Sequence, residues 1–372
     1  MSGEPRCGCR GCGLGPLARV LDLGKMPAAD DFPSLASAGL HRAGSSLAAE
    51  AAHPLAMELC AVCGLAQLAE DDTVTAEPRG VEPQALRDQA ADAVARVAAA
   101  GRLPGGGTVR EFGSPHGGSW LPLLTERGYR VTDRPADVVI DCFGIMHEPD
   151  QRVAFAQRAA ATVPGGVLLL QFHSLHTIVR HGQWNALRHG HFAYYTMASL
   201  QGLLRPAGLV AVTAWEFPLY GGTVLVAAVH APAVPDPAIA RILAAEAAVA
   251  DPVVVRGLQR AADQQARSLR AWLEAETASG RTIYAYGAAS RAVALLHLAG
   301  AHRGLLAGVA DASPGKQGRR MPGTDIPILS PAELVAAQPD RVLLTVPDLL
   351  PEVSSRWPEL QGKWVTDVTE SL

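Results

Sequence analysis

The sequence predicts an α/β protein in which a small four-cysteine module precedes two α/β domains. Two Cys-x-x-Cys pairs lie within the first 63 residues. Two later segments, beginning near residues 108 and 282, each open with an apolar strand that runs into a glycine-containing turn and then a helix. Hydrophobic residues make up 48% of the 372-residue chain and charged residues 18%, so it can bury several cores.

The charge balance and the apolar runs exclude several classes of protein. The net charge of −4 argues against general binding to nucleic acid, which requires a basic surface. No apolar run approaches the roughly 18 residues needed to span a bilayer. The first 13 residues also lack the apolar region of a secretory signal. We therefore expect a cytoplasmic protein with reduced thiols and with neither nucleic acid nor membrane as a partner.

The cysteine spacing predicts a structural zinc site. Cys9 and Cys12 form one pair, Cys60 and Cys63 form the other, and each pair is followed by glycine. Two such pairs give four thiolates, which suit tetrahedral zinc and leave no open position for water. Cys7 is an alternative to Cys9 as a ligand. A redox Cys-x-x-Cys or unconnected thiols remain the other interpretation.

The order of predicted elements divides the chain into four parts. A helix is expected over residues 83–100. Strands at Thr108–Phe112 and Ala136–Phe143 enclose a turn and a helix, and residues 209–215 and 222–230 suggest an antiparallel closing pair. A long helical stretch follows. The predicted parts are a cysteine module, a first α/β domain, a helical connector and a second α/β domain, at 1–78, 79–233, 234–279 and 280–372.

The second α/β domain carries a candidate site for a phosphate or nucleotide. Tyr286 and Gly287 form a strand-to-helix turn, whose free N–H groups are suited to an anion. Arg291 adds a positive charge beside this turn, and a guanidinium binds phosphate in a bidentate manner. Lys316 and Arg319 are further basic candidates. The alternative is a turn that only packs against the neighbouring domain.

Four segments together resemble the sugar-nucleotide C-methyltransferases that branch deoxysugars for antibiotics. They are the N-terminal Cys9–Gly13, Leu21–Phe32 and His53–Leu68, the loop Glu111–Gly118, the segment His189–Leu209 with Pro218–Thr223, and the C-terminal Tyr286–Arg291 with Val309–Pro331. The resemblance covers nearly the whole chain. It implies a zinc-binding module, a middle domain of the type that binds S-adenosylmethionine (SAM), and a C-terminal Rossmann-like domain for a nucleotide-sugar substrate.

The resemblance also implies a reaction and its residues. In the family, a keto-sugar nucleotide loses a proton from the carbon beside the carbonyl, and SAM methylates that carbon. His191 matches the base, His189 the first histidine of the same motif, and His147 another histidine of the site. An imidazole suits proton abstraction near neutral pH. The residues expected to contact SAM are Glu111, Gly113, Gly117 and, for the ribose, Asp133. Each histidine has a structural role as its alternative.

The chain departs from the family pattern in its middle domain and its catalytic motif. Gly128–Pro135, which could include an edge strand at Tyr129–Thr132, runs almost straight into the strand beginning at Ala136, whereas parallel neighbours require a crossover of about a dozen residues. At least one strand and one or two helices of the family domain are therefore predicted to be missing. The motif has Arg188 and Gly190 where the family has Tyr and Glu, and residues 77–81 lack the family's tyrosines.

These departures leave three functional hypotheses. The first is histidine-assisted C-methyl transfer from SAM to a keto-deoxysugar nucleotide. The second is a SAM-independent epimerase or isomerase that removes and returns a proton beside the ketone. The third is a non-catalytic member of the family that acts as a binding partner.

Overall fold

The computed structural model describes residues 8–35, 50–73, 81–114 and 117–368. These residues form an α/β structure with sheets of four, six and five strands, which confirms the predicted class. Cys7 and residues 77–80 lie outside the described residues.

The N-terminal sheet is antiparallel and receives a strand from the middle of the chain. Its first three strands are β1 Leu17–Pro27, β2 Ala52–Cys60 and β3 Ala66–Leu68. A later strand, β8 (Ala193–Tyr194), pairs with β3 at the edge of this sheet. Since only Phe192 separates His191 from β8, the cysteine module helps to fix the position of the histidine motif.

The middle sheet has six strands in the order β5-β4-β6-β7-β10-β9. In chain order they are β4 Thr108–Phe112, β5 Arg130–Val131, β6 Ala136–Cys142, β7 Thr162–His173, β9 Leu209–Phe217 and β10 Thr223–His230. The first four strands in the sheet order are parallel, whereas β10 is antiparallel to β7 and β9. The antiparallel pairing of β9 with β10 confirms the predicted closing pair.

Five helices accompany the middle sheet. They are α1 Gln84–Ala99, α2 Leu121–Thr125, α3 Gln151–Ala161, α4 Leu175–Arg180 and α5 Met197–Leu204. Side chains cap α3 and α5, because Asp150 accepts from Val153 N and Thr196 from Ser199 N. Such local caps explain why these two helices have the bounds that sequence periodicity indicates.

At the trimmed edge of the middle sheet, β5 and β6 lie on either side of β4 and are joined without a long crossover. Within residues 117–135 the structure has only the five-residue α2 and the two-residue β5. Val131 pairs with Val109, so β5 ends level with the second residue of β4 and does not extend along the sheet. The four-residue link can therefore pass across the amino end of β4 to reach β6. Asp137 holds this crossing, since its Oδ2 accepts from Thr108 N and Oγ1, both at 2.7 Å.

The C-terminal sheet is wholly parallel, in the order β13-β12-β11-β14-β15. Its strands are β11 Ile283–Tyr286, β12 Val309–Ala310, β13 Ile328–Leu329, β14 Arg341–Leu344 and β15 Trp364–Val365. The helices α9 Ser290–Leu298, α10 Pro331–Ala336 and α11 Leu350–Arg356 accompany it. The strand order reverses beside β11, where open parallel sheets bind ligands at the carboxyl ends of their strands.

Three helices connect the middle sheet to the C-terminal sheet: α6 Pro237–Glu246, α7 Pro252–Val255 and α8 Gly257–Ala278. The longest, α8, belongs to two cores. Leu258 and Ala262 pack in the core that contains the N-terminal sheet, whereas Leu269 and Trp272 pack in the C-terminal core. One helix therefore fixes the two regions relative to each other through apolar burial. None of the helices in the described ranges has both the length and the hydropathy of a membrane span.

Candidate functional site

The four cysteines that the spacing singles out form one cluster. Their Sγ atoms all lie within 4.8 Å of one another, and the Cys9–Cys63 and Cys12–Cys60 pairs are separated by 3.5 and 3.7 Å. A tetrahedral zinc ion with Zn–S bonds of about 2.3 Å separates its sulfurs by about 3.8 Å. The donor set and its spacing thus fit zinc, with all four positions filled by thiolate.

A cavity of about 460 Å³ lies between the middle and C-terminal sheets, where the carboxyl ends of their parallel strands face each other. The middle sheet contributes residues that follow β4 and β6 and the last residue of β7, and the C-terminal sheet contributes residues that follow β11, β12 and β14. Those lining residues are Ser114, Gly117, Phe143, Met146 and His173 from the first sheet, and Gly287, Asp311 and Val346 from the second. Both sheets therefore present their usual ligand-binding edges to one space.

His191 lines this cavity and is hydrogen-bonded to a guanidinium group. Its side chain is almost completely buried, at 3% exposure, and its Nε2 lies 2.7 Å from Arg188 Nη2. Because a guanidinium has no acceptor, Nε2 must carry the lone pair in this contact. The ring of His147 meets His191 edge-on, with centroids 4.3 Å apart, but does not line the cavity.

His189 faces away from the cavity, towards the N-terminal sheet. Its Nε2 lies 3.2 Å from the carbonyl oxygen of Pro54, and its ring packs against His53. Burial lowers the pKa of His189 and favours the neutral imidazole. Gly190 separates the two histidines in a left-handed conformation, at φ +75°. The structure therefore does not bring His189 together with His191.

Cationic groups from both α/β regions line the cavity. Arg188 Nη1 donates to Ser290 Oγ at 3.0 Å, and the Arg291 guanidinium stacks 5.5 Å above the ring of Tyr220. Burial and the charge of Arg188 lower the pKa of Arg291 to about 10. Neither guanidinium forms an ion pair with any carboxylate in the described chain. Lys316 also lines the cavity and donates to the carbonyl oxygen of Ala288.

The strand-to-helix turn after β11 differs from the expected anion site. Gly287 N donates to Ala310 O at 2.7 Å, and Ala288 N donates to Asp311 Oδ2 at 2.8 Å. The expectation of free N–H groups is wrong at these two positions, because a neighbouring carbonyl and a carboxylate occupy them. Tyr286 and Gly287 nevertheless line the cavity.

Arg319 does not lie at the phosphate or nucleotide site to which the sequence analysis assigned it. It is exposed, does not line the cavity, and donates from Nη1 to the carbonyl oxygen of Phe32 at 2.7 Å. An isolated bridge between Ser34 and Arg319 strengthens this contact. Arg319 therefore joins the C-terminal region to the N-terminal segment, and we correct its assignment to the substrate site.

The loop after β4 brings one of its expected residues to the cavity. Gly117 lines the cavity in a left-handed conformation at φ +83°, whereas Gly113 is exposed outside it. Glu111 closes the loop by accepting hydrogen bonds from Ser119 Oγ and Trp120 N. Burial raises the pKa of this carboxyl. The Glu111 side chain therefore stabilises the conformation of the loop itself.

Asp133 is separated from this loop. It is exposed in the link that crosses the amino end of β4, whereas Glu111 and Gly117 lie at the carboxyl end. The assignment of Asp133 to the ribose is therefore corrected, since β5 is too short to carry it along the sheet. Glu82 is the carboxylate beside the loop, because a Cβ at Gly118 would lie 2.7 Å from its Oε1.

Some cavity residues were not identified from the sequence. In the sequence, Arg188 was noted only because it stands where the family has a tyrosine donor. Glu82 belongs to none of the motifs that the sequence analysis used. Tyr220 lies within Pro218–Thr223, which carries part of the resemblance, but the sequence did not single it out from its neighbours. Phe143 and Tyr220 both adopt left-handed conformations, at φ +59° and +56°, and both line the cavity. Such strained positions for non-glycine residues concentrate at functional sites.

Comparison with known proteins identifies two domain families in the chain. Residues 9–77 match a zinc binding domain, and residues 218–368 match the C-methyltransferase C-terminal domain. C-methyltransferase NovU from Streptomyces niveus is 28% identical over 238 residues, which are 62% of this chain and 56% of NovU. The match thus spans little more than half the length of that relative.

Solved methyltransferase structures share a more limited likeness. N-methyltransferase NodS from Bradyrhizobium japonicum WM9 is 12% identical, with a TM-score of 0.31 over 42% of this chain and 100% of that chain. Magnesium protoporphyrin IX methyltransferase ChlM from Synechocystis PCC 6803, with bound SAH, is 17% identical, with a TM-score of 0.29 over 39% of this chain and 84% of that chain.

Proposed function

We propose that this chain, which matches a zinc binding domain at residues 9–77 and a C-methyltransferase C-terminal domain at residues 218–368, methylates a carbon of a keto-deoxysugar nucleotide. One observation carries the proposal. The side chains of His191, Arg188 and Arg291 line one cavity between the carboxyl ends of the parallel strands of the middle and C-terminal sheets, and neither of these two guanidinium groups has a carboxylate partner in the described chain. This combination suits an anionic substrate that must lose a proton.

The cationic side chains would bind the diphosphate of the substrate. Arg188, Arg291 and Lys316 reach the cavity from two different regions of the chain. A guanidinium forms paired, charge-assisted hydrogen bonds with phosphate, which are about twice as strong as neutral ones. Tyr286, Leu344 and Val353 form an apolar part of the same cavity and would pack against the nucleotide base.

His191 would act as the base. The proton on the carbon beside the carbonyl moves to the imidazole, and the electron pair of the broken C–H bond delocalises into an enolate. The cationic cavity favours the negative charge that develops on the carbonyl oxygen. His147 is a positioning residue in this proposal, since its ring packs against that of His191. A positioned base contributes typically 10²–10⁴-fold to such a step.

The loop after β4 offers partners for SAM, which when bound supplies an electrophilic methyl group. Ser114 and Gly117 line the cavity on the side of the middle sheet. Glu82 lies beside Gly118, pairs with Arg87 and lines the cavity, and its carboxylate would accept hydrogen bonds from the ribose hydroxyls. We propose Ser114, Gly117 and Glu82 as the residues that hold the cofactor, in place of Asp133.

The direct test is calorimetric titration of the zinc-loaded protein with SAM, followed by turnover with a thymidine diphosphate 4-keto-6-deoxyhexose. We expect saturable SAM binding and a product heavier by one methylene group in the mass spectrum. Absence of binding at millimolar SAM would remove the methyl-transfer proposal.

A second candidate is proton removal and return without SAM, which would epimerise or isomerise the sugar. The two-residue β5 and the position of Asp133 favour it, because the adenine side of the middle sheet lacks a full edge strand. Deuterium incorporation from D2O into the keto-sugar nucleotide, with SAM omitted and no SAM binding by calorimetry, would select this reaction. If neither deuterium exchange nor methylation is detected, a non-catalytic binding role is the remaining hypothesis.

A further inference from the structure

We propose that Arg188 masks His191 in the ligand-free protein and that the diphosphate of the substrate unmasks it. This inference rests on the proposed function, because it assigns the regulation of the same cavity. Arg188 is a positioning residue here, and it occupies a place where the resembling family has tyrosine.

Arg188 connects the histidine to the C-terminal region. Its Nη2 donates to His191 Nε2 at 2.7 Å, and its Nη1 donates to Ser290 Oγ at 3.0 Å. Ser290 is the first residue of α9 and directly precedes Arg291, which lines the same cavity. One guanidinium thus links the imidazole to the helix that carries the second cation.

This contact prevents His191 from accepting a proton at Nε2. A guanidinium donates but never accepts, so the Nε2 lone pair is already in use. In the neutral imidazole the proton then resides on Nδ1, which leaves neither nitrogen ready to take a proton from carbon. Protonation at Nε2 would also oppose two N–H groups and two positive charges at 2.7 Å. Arg188 must therefore move before His191 can act as a base.

A diphosphate would supply the force for this movement. Arg188 has no carboxylate partner among the described residues, and its present partners are a neutral ring nitrogen and a hydroxyl. Phosphate oxygens offer charge-assisted bonds, which are stronger than either of these contacts. Arg291 and Lys316 attract the same anion into the cavity. A keto sugar without its diphosphate would consequently meet a masked base.

Arg188, His147 and Tyr194 are among the groups that surround His191. Arg188 contacts its Nε2, the His147 ring lies edge-on at 4.3 Å, and the Tyr194 ring lies 6.5 Å away. Tyr194 is bonded to the same segment, since its hydroxyl accepts from Arg188 N and donates to Ala186 O. Of these groups, only Arg188 carries a permanent charge, so its displacement should dominate any change in the titration of His191.

The test uses the full zinc-loaded chain with 15N-labelled histidine and inorganic pyrophosphate as the probe. The His191 signal is assigned by its loss in His191→Gln. We expect saturating pyrophosphate to raise the pKa of His191 by about one unit or more, as removal of an adjacent positive charge should. If pyrophosphate binds by calorimetry and the titration of His191 does not move, the masking proposal is wrong. Failure of pyrophosphate to bind would instead contradict the proposed substrate class.

Two variants sharpen this test. In Arg188→Met, His191 should titrate at the higher value from the start, and pyrophosphate should no longer shift it. Arg356→Met is the matched control, since it removes another guanidinium that lines the cavity but contacts Trp357 and not His191. The control should keep the pyrophosphate-induced shift. Loss of the shift in Arg356→Met to the same extent as in Arg188→Met would show that only the total charge matters and would overturn the proposal.

Discussion

The carboxylate of Asp141 and the guanidinium of Arg158 form a buried ion pair, with Oδ2 and Nε 2.9 Å apart. Asp141 lies in β6, and its Oδ1 also accepts hydrogen bonds from the N–H groups of Gly144 and Ile145, both at 2.9 Å. The pair therefore holds the loop that presents Phe143 and Met146 to the cavity. Burial raises the pKa of Asp141, while Arg158 opposes that rise.

Removal of one partner from this pair should destabilise the protein strongly. Arg158→Met leaves the Asp141 charge buried, and we expect the free energy of unfolding to fall by about 3–5 kcal/mol. Urea denaturation at equilibrium measures this change. Arg96→Met is the control, since its exposed pair with Asp92 should contribute less than about 1 kcal/mol. Equal losses in the two variants would contradict the structural role of the buried pair.

Loss of the metal should disturb the histidine site as well as the cysteine module. Cys60→Ser removes one of the four clustered thiolates, and we expect zinc content by atomic emission to fall from about one ion per chain to a small fraction. Because β8 pairs with β3, the signal of His191 in histidine-labelled protein should broaden or shift. Cys142→Ala, outside the cluster, should retain zinc. Full zinc content in Cys60→Ser would refute the four-thiolate site.

The two histidines of the motif should respond differently to the same substitution. His191→Gln should reduce turnover, or solvent exchange of the keto sugar, by about 10²–10⁴-fold, because it removes the proposed base. His189→Gln should act mainly on stability, since His189 packs against Pro54 and His53. Measurements of kcat and thermal unfolding on both variants separate these effects. Full turnover in His191→Gln would end its assignment as the base.

Glu246 should make stability depend on pH in a weakly acidic range. It is buried in α6, accepts from Ser174 Oγ and Met197 N, and burial raises its pKa from 4.5 to about 6. The folded protein therefore binds this proton more tightly than the unfolded chain does. Its stabilising effect is present below about pH 4.5 and is lost as the pH rises through about 6.

The variant Glu246→Gln tests this dependence, since an amide can keep one acceptor and one donor in the same place. At pH 7 we expect it to exceed the wild type in unfolding free energy by about 1–2 kcal/mol, and the advantage should disappear near pH 4.5. Urea midpoints across this range measure the difference. An advantage that does not change with pH would point to packing as its cause.

Local sequence patterns determined much of the fold. The helices Gln151–Ala161 and Met197–Leu204 have the predicted bounds because a residue adjacent to each, Asp150 or Thr196, supplies its cap. The strand Thr108–Phe112 was likewise predicted with its observed bounds. The shortness of Gly128–Pro135 predicted a trimmed middle sheet, and the structure has only the two-residue β5 in this stretch. The path of the chain from β5 to β6 could be known only from the structure, because the length of β5 decides whether four residues can reach from one strand to the other.

The candidate site depended on contacts between distant parts of the chain. Short-range spacing along the chain predicts the class of the fold, the four cysteine ligands for zinc and a motif with two histidines. Long-range packing separates His191 from His189, leaves Asp133 and Arg319 away from the cavity, and brings Arg188 against His191. Packing decides these relationships, because a side chain's direction and its remote partners are fixed only when the sheets come together.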